Sequence, residues 1–165
     1  MKFLWVDTET TGLDEDVHRP FEIAFIYLNN RKEENGRVSH IECERDFYLN
    51  PLDIEGVKYS EDAGKVHGYS EEKIRELPPA KEIVPKLVTF FEDVLNHFGT
   101  GKTEKPFLCG YNVGFDYKMI KKLLEDFGYN INDYVQNHFM DVFEQVKTAG
   151  NMRCRSVQTL EGTFC

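Results

Sequence analysis

Apolar positions come in short runs near the start of the chain and at helical spacing further on. Phe3, Leu4, Trp5 and Val6 form a compact run that predicts a strand over residues 2–6. Residues 21–28 (FEIAFIYL) are apolar and aromatic and predict a second strand. Residues 29–37 (NNRKEENGR) are polar, contain Gly36, and predict a hairpin turn into a third strand over 38–49. Three strands joined by short links make an antiparallel meander. Beyond it, Ser60 stands before Glu61 and Asp62 as the cap of a short helix ended by Gly68, and Ser70 caps a second start before Pro78 and Pro79. Ile83, Leu87, Phe90, Phe91, Val94, Leu95 and Phe98 then recur on one face of a helix over 80–98. The last third alternates. A strand over 107–111 precedes a helix over 114–127 closed by Gly128, and a short strand over 138–140 follows. Asp141 then caps a helix to residue 149, and Ser156 opens a last one over 157–160. A meander followed by this alternation predicts an α/β domain, with a mixed five-stranded sheet, the first strand in its middle, and helices on its faces.

The length of 165 residues suits one domain. Hydrophobic residues at 41% and charged residues at 30% fit a soluble globular chain, and no run of about 18 apolar residues is available to span a membrane. The N-terminus turns acidic at Asp7, too early for a signal peptide. Cys43, Cys109, Cys154 and Cys165 stand far apart with no CxxC pair, so they are expected as reduced thiols of a cytoplasmic protein rather than as a zinc site. The net charge of −9 is the opposite of a duplex-binding footprint. A single-stranded end gripped through bound cations needs few phosphate contacts, so the acidity argues only against tight, processive binding by this domain alone. The segment 99–105 (GTGKTEK) resembles part of a phosphate-binding loop. Asn96 stands where its first glycine belongs, and a helix rather than a strand precedes it, so it is not read as a nucleotide site.

Chemistry concentrates in two places. In Val6-Asp7-Thr8-Glu9-Thr10-Thr11-Gly12-Leu13, two carboxylates lie two apart at the end of an apolar strand, which places Asp7 and Glu9 on the same side. Carboxylates that close repel, and a hard divalent cation resolves the conflict, since Mg²⁺ and Mn²⁺ prefer carboxylate oxygens. Thr10, Thr11 and Gly12 then predict a tight turn whose backbone can approach a ligand. In Cys109-Gly110-Tyr111-Asn112-Val113-Gly114-Phe115-Asp116, an apolar strand again leads to a carboxylate, here in the first turn of a helix. Taken alone, either segment has a plainer reading: a solvated acidic turn, or an Asp favoured by the helix dipole.

Together the segments resemble the DnaQ-like branch of the DEDD 3′→5′ exonucleases, the family typified by the proofreading subunit epsilon of bacterial DNA polymerase III. The string DTETTGLD is similar to the family's first motif, YNVGFD to its second, and Val66-His67-Gly68-Tyr69 to the His-Gly segment between them. Asp141 stands where the family has an Asp opening the helix after the fifth strand. The resemblance implies a ribonuclease H-like fold and two-metal hydrolysis of phosphodiesters, with Asp7, Glu9 and Asp116 holding two Mg²⁺ or Mn²⁺ ions. It implies release of nucleoside monophosphates from single-stranded 3′ ends, DNA more than RNA, with proofreading beside a DNA polymerase subunit as one role. Thr8, Thr10, Thr11, Gly12, Leu13 and Asn112 would line the pocket of the terminal nucleotide, and Phe115 and His67 would touch its base or sugar.

The family's third motif, a His or Tyr followed by an Asp, belongs after the helix at 157–160. Residues 151–165 contain no His, Tyr or Asp, and His18, His40, His97 and His138 stand in no matching place. The expectation is therefore a single exonuclease domain over 1–165, incomplete at its C-terminal end and weakly active or inactive alone. Three other readings stay open: an RNA-trimming exoribonuclease, a degenerate member that binds metal or nucleic-acid ends without cleaving, and an acidic α/β binding module. The last leaves unexplained why both acidic motifs end apolar strands in the family's order.

Overall fold

The computed structural model describes residues 2–33, 36–96 and 105–142. Its five strands are β1 (Lys2–Thr10), β2 (Pro20–Glu33), β3 (Gly36–Tyr48), β4 (Phe107–Gly110) and β5 (Phe139–Asp141), ordered β3-β2-β1-β4-β5 in one sheet. The meander is antiparallel as expected, and β1 is central, antiparallel to β2 and parallel to β4. Parallel neighbours need a crossover. Helices α1 (Glu61–His67), α2 (Glu71–Arg75) and α3 (Ala80–Asn96) fill the path from β3 to β4, and α4 (Val113–Asp126) fills the path from β4 to its parallel partner β5.

The strands outrun the apolar runs that predicted them. β1 continues past Val6 because β2 offers partners to its polar end: Asp7 lies opposite Ala24, Thr8 opposite Ile23 and Glu9 opposite Glu22. Backbone N–H and C=O groups gain as much from this pairing whether the side chain is polar or apolar. The register slips between Glu9 and Thr10, where the strand ends. β2 and β3 likewise run through the polar stretch assigned to a turn, with Glu33 opposite Gly36. The turn at 34–35, the loop at 99–104, the end of the third predicted helix at 97–98, the predicted helix to residue 149, the one at 157–160, Cys154 and Cys165 lie outside the described residues.

Alternation along the strands builds the core. Leu4, Val6, Ile23, Phe25 and Tyr27 face Ile83, Leu87, Phe91 and Val94 of α3 and Ile120, Leu123 and Leu124 of α4, so both long helices pack on one face. The ring of Phe25 lies 5.2 Å from that of Phe90 and 5.4 Å from that of Phe91, the offset geometry aromatic pairs prefer. Cys109 is buried on the other face of the sheet, beside Trp5, and burial holds its thiol up at about 11, which makes it inert. Capping follows expectation, with one exception. Gly68 and Gly128 are left-handed at the ends of α1 and α4, and Ser70 Oγ accepts from the Lys73 N–H. Ser60 stands before α1 without a side-chain capping bond; its N–H instead donates to the Thr11 carbonyl at 2.8 Å and ties α1 to the loop after β1. Among the described residues no helix is long and apolar enough to cross a membrane.

Candidate active site

The polar end of β1 carries the acidic group. Asp7 and Glu9 leave one face of the strand and Thr8 and Thr10 the other. Asp116, in the first turn of α4, is buried, and one of its oxygens accepts from the Thr8 hydroxyl at 2.7 Å. Burial, with a smaller push from Asp7, holds the Asp116 carboxyl up at about 6, against the hydroxyl bond and the nearby backbone groups of Thr8 and Asp116. Its folded value lies above its unfolded one, so the stability tied to it is complete below pH 3.8 and is lost as pH rises through about 6. Glu9 is also shifted upward, by burial first, then by Asp7 and Glu22.

These carboxylates influence one another without forming a closed cage. Among the described residues no three His, Cys, Asp or Glu side chains gather closely enough to hold an ion. Asp7 shares a hollow of about 300 Å³ with Trp5, Ala24 and Tyr111, while Asp116 is turned toward Thr8. The alternation of the strand separates them, and uncompensated negative charges have no reason to close the gap. The donor set nonetheless fits a hard divalent cation. It is all oxygen, and each shifted group resists ionisation through burial first and neighbouring negative charge second, a penalty that an added positive charge offsets.

Beside the carboxylates lies a cleft of about 330 Å³. Thr8, Glu9, Thr10 and Leu13 form one wall, Ala63, Val66 and His67 of α1 a second, and Phe115 of α4 closes it. Leu13 and Val66, which flank the cleft, are nearly four-fifths exposed. Tyr69 N–H donates to His67 Nδ1 at 3.1 Å, so the ring proton sits on Nε2, which is buried and has no hydrogen-bond partner. Burial lowers the His67 pKa, opposed by the Thr10 backbone and by the charge of Glu22. His67 is thus a neutral donor on the cleft wall and no proton acceptor. Ser60, Asp62, Ala63 and Val66 also line the cleft and were not foreseen as site residues. Residues 63, 66 and 67 share a helix face at i, i+3 and i+4, a signal the sequence did carry.

Three residues expected in the nucleotide pocket have other work. Thr11 is fully buried: its N–H donates to the Arg19 carbonyl at 3.0 Å and its hydroxyl accepts from the Arg19 N–H at 3.2 Å. Gly12 is buried under His18, where an added Cβ would meet the imidazole at 2.4 Å. Both hold the loop that presents Leu13. Asn112 is exposed, outside the cleft, and left-handed at φ 55; its N–H donates to Asp141 Oδ1 at 3.0 Å. It sets the angle at which α4 starts, two residues before Phe115. Asp141 lies in β5 and holds this junction. Replacing Asn112 by Val, which tolerates the left-handed region poorly, is expected to cost about 1–2 kcal/mol in urea unfolding, and Asn112→Gly close to nothing. Equal losses in both variants would show that the backbone angle is not what matters.

Arg19 was not foreseen either. Buried between the loop and α4, it pairs with Asp126 at 2.6 Å and 3.2 Å and donates to the carbonyls of Glu15 and His18, each at 2.7 Å. Lys118–Glu15 at 3.2 Å and Lys122–Asp16 at 3.3 Å join the same two elements. The wall carrying Leu13 is therefore latched to the helix carrying Phe115.

An acidic edge on a central strand, a carboxylate on the facing helix and a cleft thus lie side by side. The exonuclease family model matches residues 4–162, and the chain belongs to that family, in its DnaQ-like DEDD 3′→5′ branch. Among solved structures it resembles E. coli exonuclease I in complex with a 5cy-dA13 oligonucleotide, at 19% identity and a TM-score of 0.66, covering 94% of this chain and 31% of that one. It is also similar to a moderately thermophilic exonuclease I from Methylocaldum szegediense, at 17% identity and a TM-score of 0.63, covering 94% and 30%. A third is the zinc-ion-bound form of the E. coli exonuclease I–ssDNA complex, at 20% identity and a TM-score of 0.58, covering 85% and 27%. The chain thus spans about a third of the length of these proteins. No curated protein matches it by sequence.

Proposed function

We propose that this chain is the nuclease core of a 3′→5′ exonuclease that releases nucleoside monophosphates from single-stranded DNA ends, with Mg²⁺ or Mn²⁺ as cofactor. The observation that carries the reading is the apolar cleft directly beside the carboxylates of β1 and α4. The exonuclease I complexes with single-stranded DNA favour DNA over RNA as substrate. Asp7, Glu9 and Asp116 are the residues that would hold divalent cations, which supply charge to a scissile phosphodiester and acidify a water. The terminal base would lie between Leu13 and Phe115. His67 Nε2–H would donate to an oxygen of the base or sugar, and a neutral donor suits such an acceptor. Because its Nδ1 is engaged and its Nε2 protonated, His67 is not the general base, and no other described His lines the cleft.

The test is an assay on a 5′-labelled oligonucleotide with either cation. Shortening should run one nucleotide at a time from the 3′ end, and the 165-residue chain, with no His, Tyr or Asp over residues 151–165, should shorten DNA weakly at most. Base–aromatic stacking is worth about 1–3 kcal/mol, so Phe115→Ala should raise KM roughly 5- to 150-fold and change kcat far less. Shortening from the 5′ end, or faster cleavage of the matching RNA, would overturn the assignment of direction or of substrate.

A further inference from the structure

Glu22 is a carboxylate that belongs to neither acidic motif. It stands on β2 directly opposite Glu9 in the antiparallel register, so the two side chains leave the same face of the sheet as neighbours. Like charges in that relation destabilise a sheet, and the surroundings of Glu22 do not relieve it. Among the described residues its hydrogen bond comes from a neutral donor, Tyr48 Oη at 2.9 Å, and no ion pair forms with it. A purely structural position would accept Gln or Thr there without the repulsion. The Tyr48 bond ties one oxygen toward β3 and restrains the side chain at the surface without removing its charge.

We propose that Glu22 is a positioning residue of the cation site, a charge placed behind Glu9 that destabilises the ion-free protein and strengthens cation binding. The inference rests on Asp7, Glu9 and Asp116 being the cation ligands. Glu22 acts through Glu9: it opposes any turn of the Glu9 carboxylate back over β2, and it adds negative potential that a divalent ion neutralises.

The test uses Glu22→Gln, which keeps an acceptor for Tyr48 and removes the charge, in the full 165-residue chain at pH 7.5 and low salt. Thermal unfolding without metal should shift upward by about 1–3 °C. Mn²⁺ titrated by calorimetry should bind about 3- to 10-fold more weakly, and this difference should shrink as salt screens the charge. Glu22→Asp, which restores the charge, should recover most of the affinity. Opposite signs in stability and affinity are the signature, since a structural residue would lower both. A lower unfolding temperature in Glu22→Gln, or unchanged Mn²⁺ affinity while Asp7→Ala abolishes binding, would overturn this inference alone. Absence of Mn²⁺ binding in the wild type would remove the ligand assignment and the inference with it.

Discussion

Asp7→Ala should abolish Mn²⁺ binding and lower nucleotide release by about two to three orders of magnitude. That is the equivalent of several kcal/mol of lost charge stabilisation at a phosphodiester. Asp7 is exposed on the central strand and influences both of its partners, raising the carboxyl pKa of Glu9 and of Asp116. Removing it leaves two carboxylates, Glu9 on β1 and Asp116 on α4, without the third acidic partner. The fold should not suffer, because the side chain is in solvent and its loss relieves repulsion. Circular dichroism should match the wild type and the metal-free unfolding temperature should equal or exceed it, while calorimetry shows no Mn²⁺ heat. An Asp7→Ala variant that binds Mn²⁺ normally would rule out the ligand set, whatever its activity.

Arg19→Ala should have the largest effect on stability, about 3 kcal/mol in urea unfolding. The Arg19 side chain is 8% exposed and that of Asp126 23%, so the variant strands a partly buried carboxylate as well as two loop carbonyls. Removing one member of a buried pair costs about 3–5 kcal/mol, and the partial exposure of Asp126 puts this case at the lower end. Part of the loss is the unpaired charge, which gives a second test. Asp126→Asn added to Arg19→Ala should destabilise less than the sum of the single changes, and the double-mutant cycle measures the coupling. Arg19→Lys should recover little, since an ammonium cannot match the planar fork that reaches Asp126 and both carbonyls. A loss below about 0.5 kcal/mol in Arg19→Ala would mean the latch is only a surface contact.

The site was legible where its residues are close in sequence. Asp7 and Glu9 share a face because strand geometry has a period of two. Leu13, His67 and Phe115 line one cleft but come from three segments far apart in sequence, which only the family resemblance joined. Thr11, Gly12 and Asn112 belong to the same motifs yet support the cleft from outside. A motif records which residues occur together and not which of them touch the ligand. Apolar content alone predicts a β1 that ends at Val6, whereas pairing with β2 carries it through Asp7, Thr8 and Glu9.

By itself the sequence determined the local features of this protein: alternation in the strands, the face of α3, the ends of α1 and α4, and the acidic motifs in their order. Each depends on neighbours within a few residues, through backbone periodicity and capping. Tertiary structure alone decided that Glu22 faces Glu9, that Thr8 rather than a second carboxylate meets Asp116, and that Arg19 reaches Asp126 across 107 residues. Those pairings depend on strand register and on how a helix seats against a sheet. A shift of one residue in the register would send every side chain of the strand to the other face, and nothing in local periodicity selects the partner strand.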